Sequence, residues 1–496
     1  MKRAVSVFFA FLVLTSLMCW NYAFNFIDKE NWSYVGFQRD SEVLVTGVIY
    51  ANSKGVLPNE CGLGVWVDIL GELDSESRYY VTNDSWENGY SRTDASILIL
   101  SSSHTKMVAK PGNYVRFVNG EEFLISDVID MGEYTIVCLQ SDQILSGEVY
   151  GKLLDATFLD ENKEPLPKGK LNPYMSQYGL QGKVFGALGR HLGQGDLNFL
   201  CCFATAAVFA LIVIIAAYKY DVLFAGCMFA TFLLSPWVVN FARNLYWVEF
   251  TWFIPMLIGL LCAWKVESRK YRVICYLATF VSILVKCLCG YEYISTIMVG
   301  TIAFLAVDFF AALIAREYKK AKCLFGTIVL MGLAAVVGFL VALGIHASMR
   351  GEGNLMLGIT QVLQDAMRRT AGIDLSMASI LTGRELEALT ASVWETICIY
   401  FNFQTAVLAG IDGKLFPLLC IMPIVILGCN CYARRIEWKY FVMYGVFLLA
   451  TLSWHVLAQN HSYVHIHMNY VLWYFGFVQT CIYIICRQIL EVVKRK

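Results

Sequence analysis

The side chains that could do chemistry in this chain gather in a few short segments. Asp40-Ser41-Glu42 sets two carboxylates one residue apart, where they could share a divalent metal (Mg or Mn) or leave one carboxylate as a general base. The same tripeptide would also serve as an ordinary cap with an acidic first turn. Asn240 to Glu249 carries Arg243, and Lys286 with Glu292 brackets another short turn, so each turn offers one cation and one carboxylate. A phosphate would suit such a pair, as would simple snorkelling to headgroups. Trp454 to Asn469 holds His455, His461, His465 and His467, four of the seven histidines. His461 and His465, four residues apart, could ligate zinc with His467 as a third ligand, but no HExxH signature is present. The expectation carried forward is hydrogen bonding of His461 and His465 to a sugar or phosphate. Arg368-Arg369 closes a helical stretch, where it could meet an anion or simply the helix C-terminus.

The elements that must position these residues are membrane spans. Of 496 residues 57% are hydrophobic and 16% charged, and the mean hydropathy is +0.55, which makes membrane the default class. A net charge of zero argues against a nucleic-acid surface. Apolar runs of roughly 20 residues, the length a bilayer core requires, centre near residues 13, 208, 230, 257, 280, 304, 334, 422, 447 and 478. They predict an α-helical polytopic protein of about ten spans. Threading the chain from a cytoplasmic N-terminus puts Lys219, Arg269, Lys270, Arg272, Arg316, Lys319, Lys320, Lys322, Arg434, Arg435 and the C-terminal cations on one side. The positive-inside rule therefore predicts both termini in the cytoplasm.

The expected organisation is a first span as signal anchor over 1–24, then a large extracytoplasmic loop over 25–197. Spans two to seven follow over 198–345, a second outer helical loop over 346–403, and spans eight to ten with a tail over 404–496. Residues 24–197 hold 24 acidic and 14 basic side chains, so the outer part is the acidic half. Within it, Val43, Leu44, Val48, Ile49 and Ala51 fall mostly on one side of a helix that would lie on the outer interface. A β module is expected at about 65–160, with a hairpin from Tyr114 to Ser126 around Asn119-Gly120 and a further strand from Tyr134 to Leu139. Further helices are expected over Tyr174 to Leu188, Ile359 to Thr370 and Arg384 to Phe401. Most of the 17 cysteines sit in apolar runs as small hydrophobes, and Cys61 and Cys138 in the polar region are expected to be free.

With Asp40-x-Glu42 opening the first outer loop, Ser235-Pro-Trp and Arg243-Asn-Leu-Tyr-Trp, Lys286 to Glu292-Tyr, and the histidine-rich turn, the chain resembles the GT-C superfamily of integral-membrane glycosyltransferases. The likeness is to its bacterial, surface-polysaccharide members and spans most of the chain. The 65–160 module departs from their compact first loop. The resemblance implies a plasma-membrane enzyme, active outside the cytoplasm, with a polyprenyl-phosphate sugar as donor and a glycan or cell-wall polymer as acceptor. Asp40 would be the base, with Glu42 next in line, and donor phosphate would lie near Arg243, Lys286 and the histidines. Three other classes stay open: a flippase for lipid-linked oligosaccharide, a polysaccharide polymerase using Arg368 and Arg369, and a glycan sensor.

Overall fold

The structure is a computed structural model that describes residues 2–28, 33–53, 61–68, 79–82, 96–99, 110–117, 120–130, 135–140, 153–154, 156–165, 169–369, 384–402, 406–435 and 437–495. The chain divides into two compact units, one of residues 1–45, 59–63 and 174–496 and the other of 46–58 and 64–173.

The first unit is helical. It begins with α1 (Lys2–Phe24) and the first half of α2 (Ser33–Ser53). It resumes with α3 (Leu180–Leu188), α4 (Gln194–Lys219), α5 (Val222–Leu234), α6 (Pro236–Ala242) and α7 (Phe250–Trp264). Next come α8 (Arg269–Cys289), α9 (Ile294–Ile314), α10 (Tyr318–Arg350), α11 (Leu355–Arg369), α12 (Arg384–Thr390) and α13 (Val393–Asn402). The chain ends with α14 (Phe416–Tyr432), α15 (Trp438–Leu457), α16 (Gln459–Val464), α17 (Ile466–Asn469), a 3-10 turn over Tyr470–Tyr474, and α18 (Phe477–Arg495).

Among the described residues seven helices are long and apolar enough to cross a membrane, or up to nine if two bent pairs each count as one span. This is a multi-pass α-helical membrane protein. One bent pair is α5 with α6, which turn by 65° at Ser235-Pro236. The Ser235 hydroxyl accepts the Val238 N–H and Pro236 takes the first helical position, so the chain restarts a helix in a new direction. The remaining expected span falls on α7, which has 15 residues. At about 1.5 Å per residue it measures roughly 22 Å, less than the ~30 Å hydrocarbon core. Helices approach closely where glycine removes a side chain. A Cβ on Gly259 of α7 would lie 1.8 Å from the Thr301 carbonyl of α9, and one on Gly338 of α10 would lie 2.6 Å from the Phe280 carbonyl of α8.

The second unit is mainly antiparallel β. A two-stranded ribbon pairs β1 (Gly64–Asp68) with β9 (Gly169–Pro173), and a seven-stranded sheet follows the order β7-β2-β3-β6-β5-β4-β8. Its strands are β2 (Tyr79–Thr82), β3 (Ser96–Ile99), β4 (Tyr114–Phe117), β5 (Glu122–Asp130), β6 (Thr135–Gln140), β7 (Leu153–Leu154) and β8 (Ala156–Leu159). The β4–β5 hairpin pairs Tyr114 with Leu124 and Arg116 with Glu122, and Gly120 takes φ +88° at its end, where a side chain would be strained. Val48 and Ala51 of α2 bury against Leu171 and Trp66 in this unit.

The apolar stripe expected on α2 needs correction. Val43 is exposed, and the face that is buried carries Tyr34, Glu42, Val45, Val48 and Ala51. The helix turns a glutamate inward because that glutamate has N–H partners waiting for it. All 17 cysteines are free thiols, Cys61 and Cys138 included, and the Cys61 thiol hydrogen-bonds to the Tyr174 and Leu63 carbonyls.

Candidate functional site

One corner of the helical unit collects most of the polar residues singled out in the sequence, and it is built around the 243–249 turn between α6 and α7. Glu42 reaches this turn from α2. Its carboxylate accepts the Leu245 backbone N–H at 2.8 Å, the Asn198 amide at 2.7 Å and the Gln194 amide at 3.2 Å, with Gln38 one helical turn away at 3.3 Å. It is 1% exposed. Burial pushes its carboxyl above the ordinary value, and the N–H donors of Leu245, Gln194, Gln38 and Asn198 pull it back. Next to it the Ser41 hydroxyl accepts the Asn244 amide at 2.5 Å, and the Asn244 carbonyl oxygen caps the N–H groups of Tyr246 and Trp247. Arg243 lies with its guanidinium 3.5 Å from the centre of the Tyr34 ring and donates to the Tyr34 carbonyl at 2.9 Å. Burial pulls its charge below the usual arginine range.

Two amides sew this turn to the next one. Gln177 donates to the Glu292 carboxylate at 2.7 Å and to the Tyr246 hydroxyl at 2.8 Å, and Gln181 donates to the carbonyls of Tyr246 and Cys289. Lys286 is 2% exposed and donates to the Gly290 carbonyl at 2.5 Å, closing the end of α8. A Cβ on Gly290 would sit 2.5 Å from a Glu292 side-chain oxygen and 2.9 Å from that of Gln177, so both side-chain ends would have to shift.

From this corner a chain of rings runs to the histidines. Trp247 stacks on Tyr293 at 5.9 Å, Tyr293 meets Trp454 edge-on at 5.7 Å, and Trp454 meets His461 at 5.9 Å. His461 and His465 lie 4.7 Å apart, and His465 and His467 5.8 Å. Trp454 has a second face on a mainly apolar cavity of about 260 Å³, lined also by Tyr291, Phe339, Leu343, Asp365 and Leu457. Asp365 is paired with Arg350 at 2.5 Å, and Tyr291 stacks on His346, which in turn bonds to the Met175 carbonyl.

No known protein family, no curated protein and no solved structure matches this chain. What it can do rests on its own geometry.

The structure brings Glu42, Arg243, Lys286, Glu292, His461 and His465 to one end of the helical unit. Asp40 and Arg368 fall in α2 and α11, but their side chains lie outside the described residues. The Asp40 half of a shared Mg or Mn site lies outside the described residues, and at Glu42 N–H donors already point at the oxygens where a cation would have to sit. Among the described residues no group of three or more His, Cys, Asp and Glu could hold a metal ion, which also removes the zinc alternative for His461, His465 and His467. Sequence reading missed Gln177, Gln181, Asn198 and Asn244. An amide inside or beside an apolar run was the available signal, because such a group is costly unless it has a partner.

A further residue stands out at this corner. Glu249, directly before α7, is fully buried and neither carboxylate oxygen has a hydrogen-bond partner. Among the described residues, Trp247 Nε1, Thr251 Oγ1 and Tyr293 OH are also buried without a hydrogen-bond partner. Native proteins pair the great majority of such groups.

Proposed function

We propose that this chain is an integral-membrane glycosyltransferase that takes a sugar from a polyprenyl-phosphate donor and passes it to a glycan or cell-wall polymer acceptor outside a bacterial cytoplasm. The observation that carries this reading is the cavity beside Trp454. Its apolar walls suit a hydrocarbon chain, and its Trp454 ring also contacts His461, which neighbours His465, two side chains whose ring nitrogens suit a sugar phosphate. The basic loops support the orientation, with the 243–249 turn and the histidines on the outer side.

In this reading Asp40 removes the proton from an acceptor hydroxyl. The oxygen attacks the anomeric carbon, and the bond to the phosphate oxygen breaks with its electron pair leaving on the lipid phosphate. Arg243 and the histidine N–H groups stabilise that charge, and one displacement inverts the anomeric centre. Glu42 becomes the strut that holds the 243–249 turn against α2, not a second base, because its lone pairs are occupied.

The test is the sugar composition and linkage of envelope glycans in a wild-type strain, a deletion, and the deletion carrying Asp40→Asn or Leu343→Trp, with membrane abundance checked in each. One missing residue or branch is expected in the deletion and in Asp40→Asn, and a reduced amount in Leu343→Trp, which narrows the cavity. Unchanged glycans in the deletion would remove the transferase reading. Full restoration by Asp40→Asn would remove Asp40 as base. A second reading, transport of a lipid-linked oligosaccharide, draws its support from Glu249, since a buried unpartnered carboxyl within the helical unit is what a translocation path would use.

A further inference from the structure

The opposite end of the helical unit holds a second cavity, of about 500 Å³, where the end of α14, the start of α15 and α18 meet. Its lining is more polar than apolar: Ile426, Leu427, Phe441 and Ile484 give one apolar patch beside Asn430 and Gln488, and Arg434, Arg435 and Arg487 stand beside Glu437 and Glu491. Three arginines here face two glutamates. Arg434 and Arg435 form no ion pair among the described residues. Both are placed by the end of α14, where Arg434 takes φ +60° and the N–H of Arg435 closes on the Asn430 carbonyl at 2.8 Å. A left-handed position is usually given to glycine or asparagine, so an arginine there is maintained against a local cost.

Arg487 is committed to no single acid. Its nitrogens lie 3.8 Å from Asp221, 3.6 Å from Glu437 and 3.6 Å from Glu491, all beyond hydrogen-bond reach, and its buried Nε has no acceptor. Tyr432, 95% exposed, and Trp438, 48% exposed, bracket Arg434 and Arg435 in sequence, and exposed aromatic residues of this kind favour headgroup level.

We propose that this cavity binds a phosphate ester, with the phosphate held by Arg434, Arg435 and Arg487 and the apolar patch receiving the carbon chain next to it. Guanidinium groups match phosphate oxygens in a fork geometry that lysine lacks, and a basic pocket between spans is a site for an anionic headgroup. The phosphate could come from an anionic phospholipid or from a soluble phosphate compound. The site is separate from the histidine corner, and its test does not depend on any transferase activity.

The experiment uses the full-length protein in detergent micelles. Native mass spectrometry would count bound phosphatidylglycerol, phosphatidylcholine of the same chain length, and inorganic pyrophosphate. Wild type should hold phosphatidylglycerol at least about tenfold more tightly than phosphatidylcholine, and R434Q/R435Q, or R487Q separately, should lose about tenfold or more of that affinity. K319Q/K322Q removes the same charge from another basic loop and should bind as wild type does. Pyrophosphate binding with the same dependence on these arginines, without lipid binding, would keep the site and make its ligand soluble. Equal phosphatidylglycerol and pyrophosphate binding by wild type and R434Q/R435Q, or an equal loss in K319Q/K322Q, would overturn the proposal.

Discussion

Two corners of the helical unit treat buried charge in opposite ways. Where α4, α5, α9 and α18 meet, Lys219 is paired with Asp308 at 2.5 Å and the Asp221 carboxylate accepts the Tyr483 hydroxyl at 2.6 Å. At the 243–249 turn, among the described residues, Arg243 rests on a ring and a carbonyl and forms no ion pair, and the Glu249 carboxylate has no hydrogen-bond partner. Matched charges lower a desolvation cost and give little else. Charges held by neutral dipoles, or left alone, keep their capacity for an incoming group, and they are the pattern expected of a site more than of a strut.

The comparison can be broken in several ways. The largest effect is expected from Glu42→Ala, which would strand the Leu245, Asn198 and Gln194 donors in a buried site, at a cost of about 3 kcal/mol. Thermal unfolding in micelles should show a clear drop in Tm, with Glu42→Gln falling less. An unchanged Tm in Glu42→Ala would mean that α2 does not hold the turn. Asp308→Asn should cost about 1–2 kcal/mol by leaving the mostly buried Lys219 without its acid, and Lys219→Met with Asp308→Leu together should recover most of it. A double variant as unstable as the sum of the singles would show that the two groups are not coupled.

Glu249→Leu sharpens the contrast between two buried glutamates, since it removes no hydrogen bond. Stability should stay within about 1 kcal/mol or rise, whatever happens to activity. A loss as large as that of Glu42→Ala would reveal a partner of structural weight. The smallest effect is at the partly exposed Glu122 of the β4–β5 hairpin. Arg116 and Lys163 hold the Glu122 carboxyl below its ordinary value of 4.5. A depressed carboxyl contributes stability above its unfolded value and loses it as pH falls through the folded one. Hydrogen-exchange protection over residues 114–130, corrected for intrinsic rates, should decline slightly only below about pH 4.5. Protection that instead fell on raising the pH would reverse the assigned sign.

The sequence by itself determined what one-dimensional pattern can encode. Apolar runs of span length fix where membrane helices form, because the bilayer offers the backbone no other partner. Alternation around Asn119-Gly120 places a hairpin, and the structure pairs β4 with β5 antiparallel, with Phe117 rather than Val118 facing Glu121. Basic loops and the polar turns at Arg243, Lys286 and His461 were legible because a charge near an apolar run is costly and conspicuous. Which face of α2 turns inward was not, since Glu42 goes in with Val45 only because Gln194, Asn198 and Leu245 come from 152 to 203 residues away to meet it. Nor could pattern show that Ser235-Pro236 bends a span by 65°, that α7 is short, or that Trp454 stands between a cavity and a ladder of rings. Those features depend on contacts between segments distant in the chain, and only the packed tertiary structure brings such segments within bonding distance.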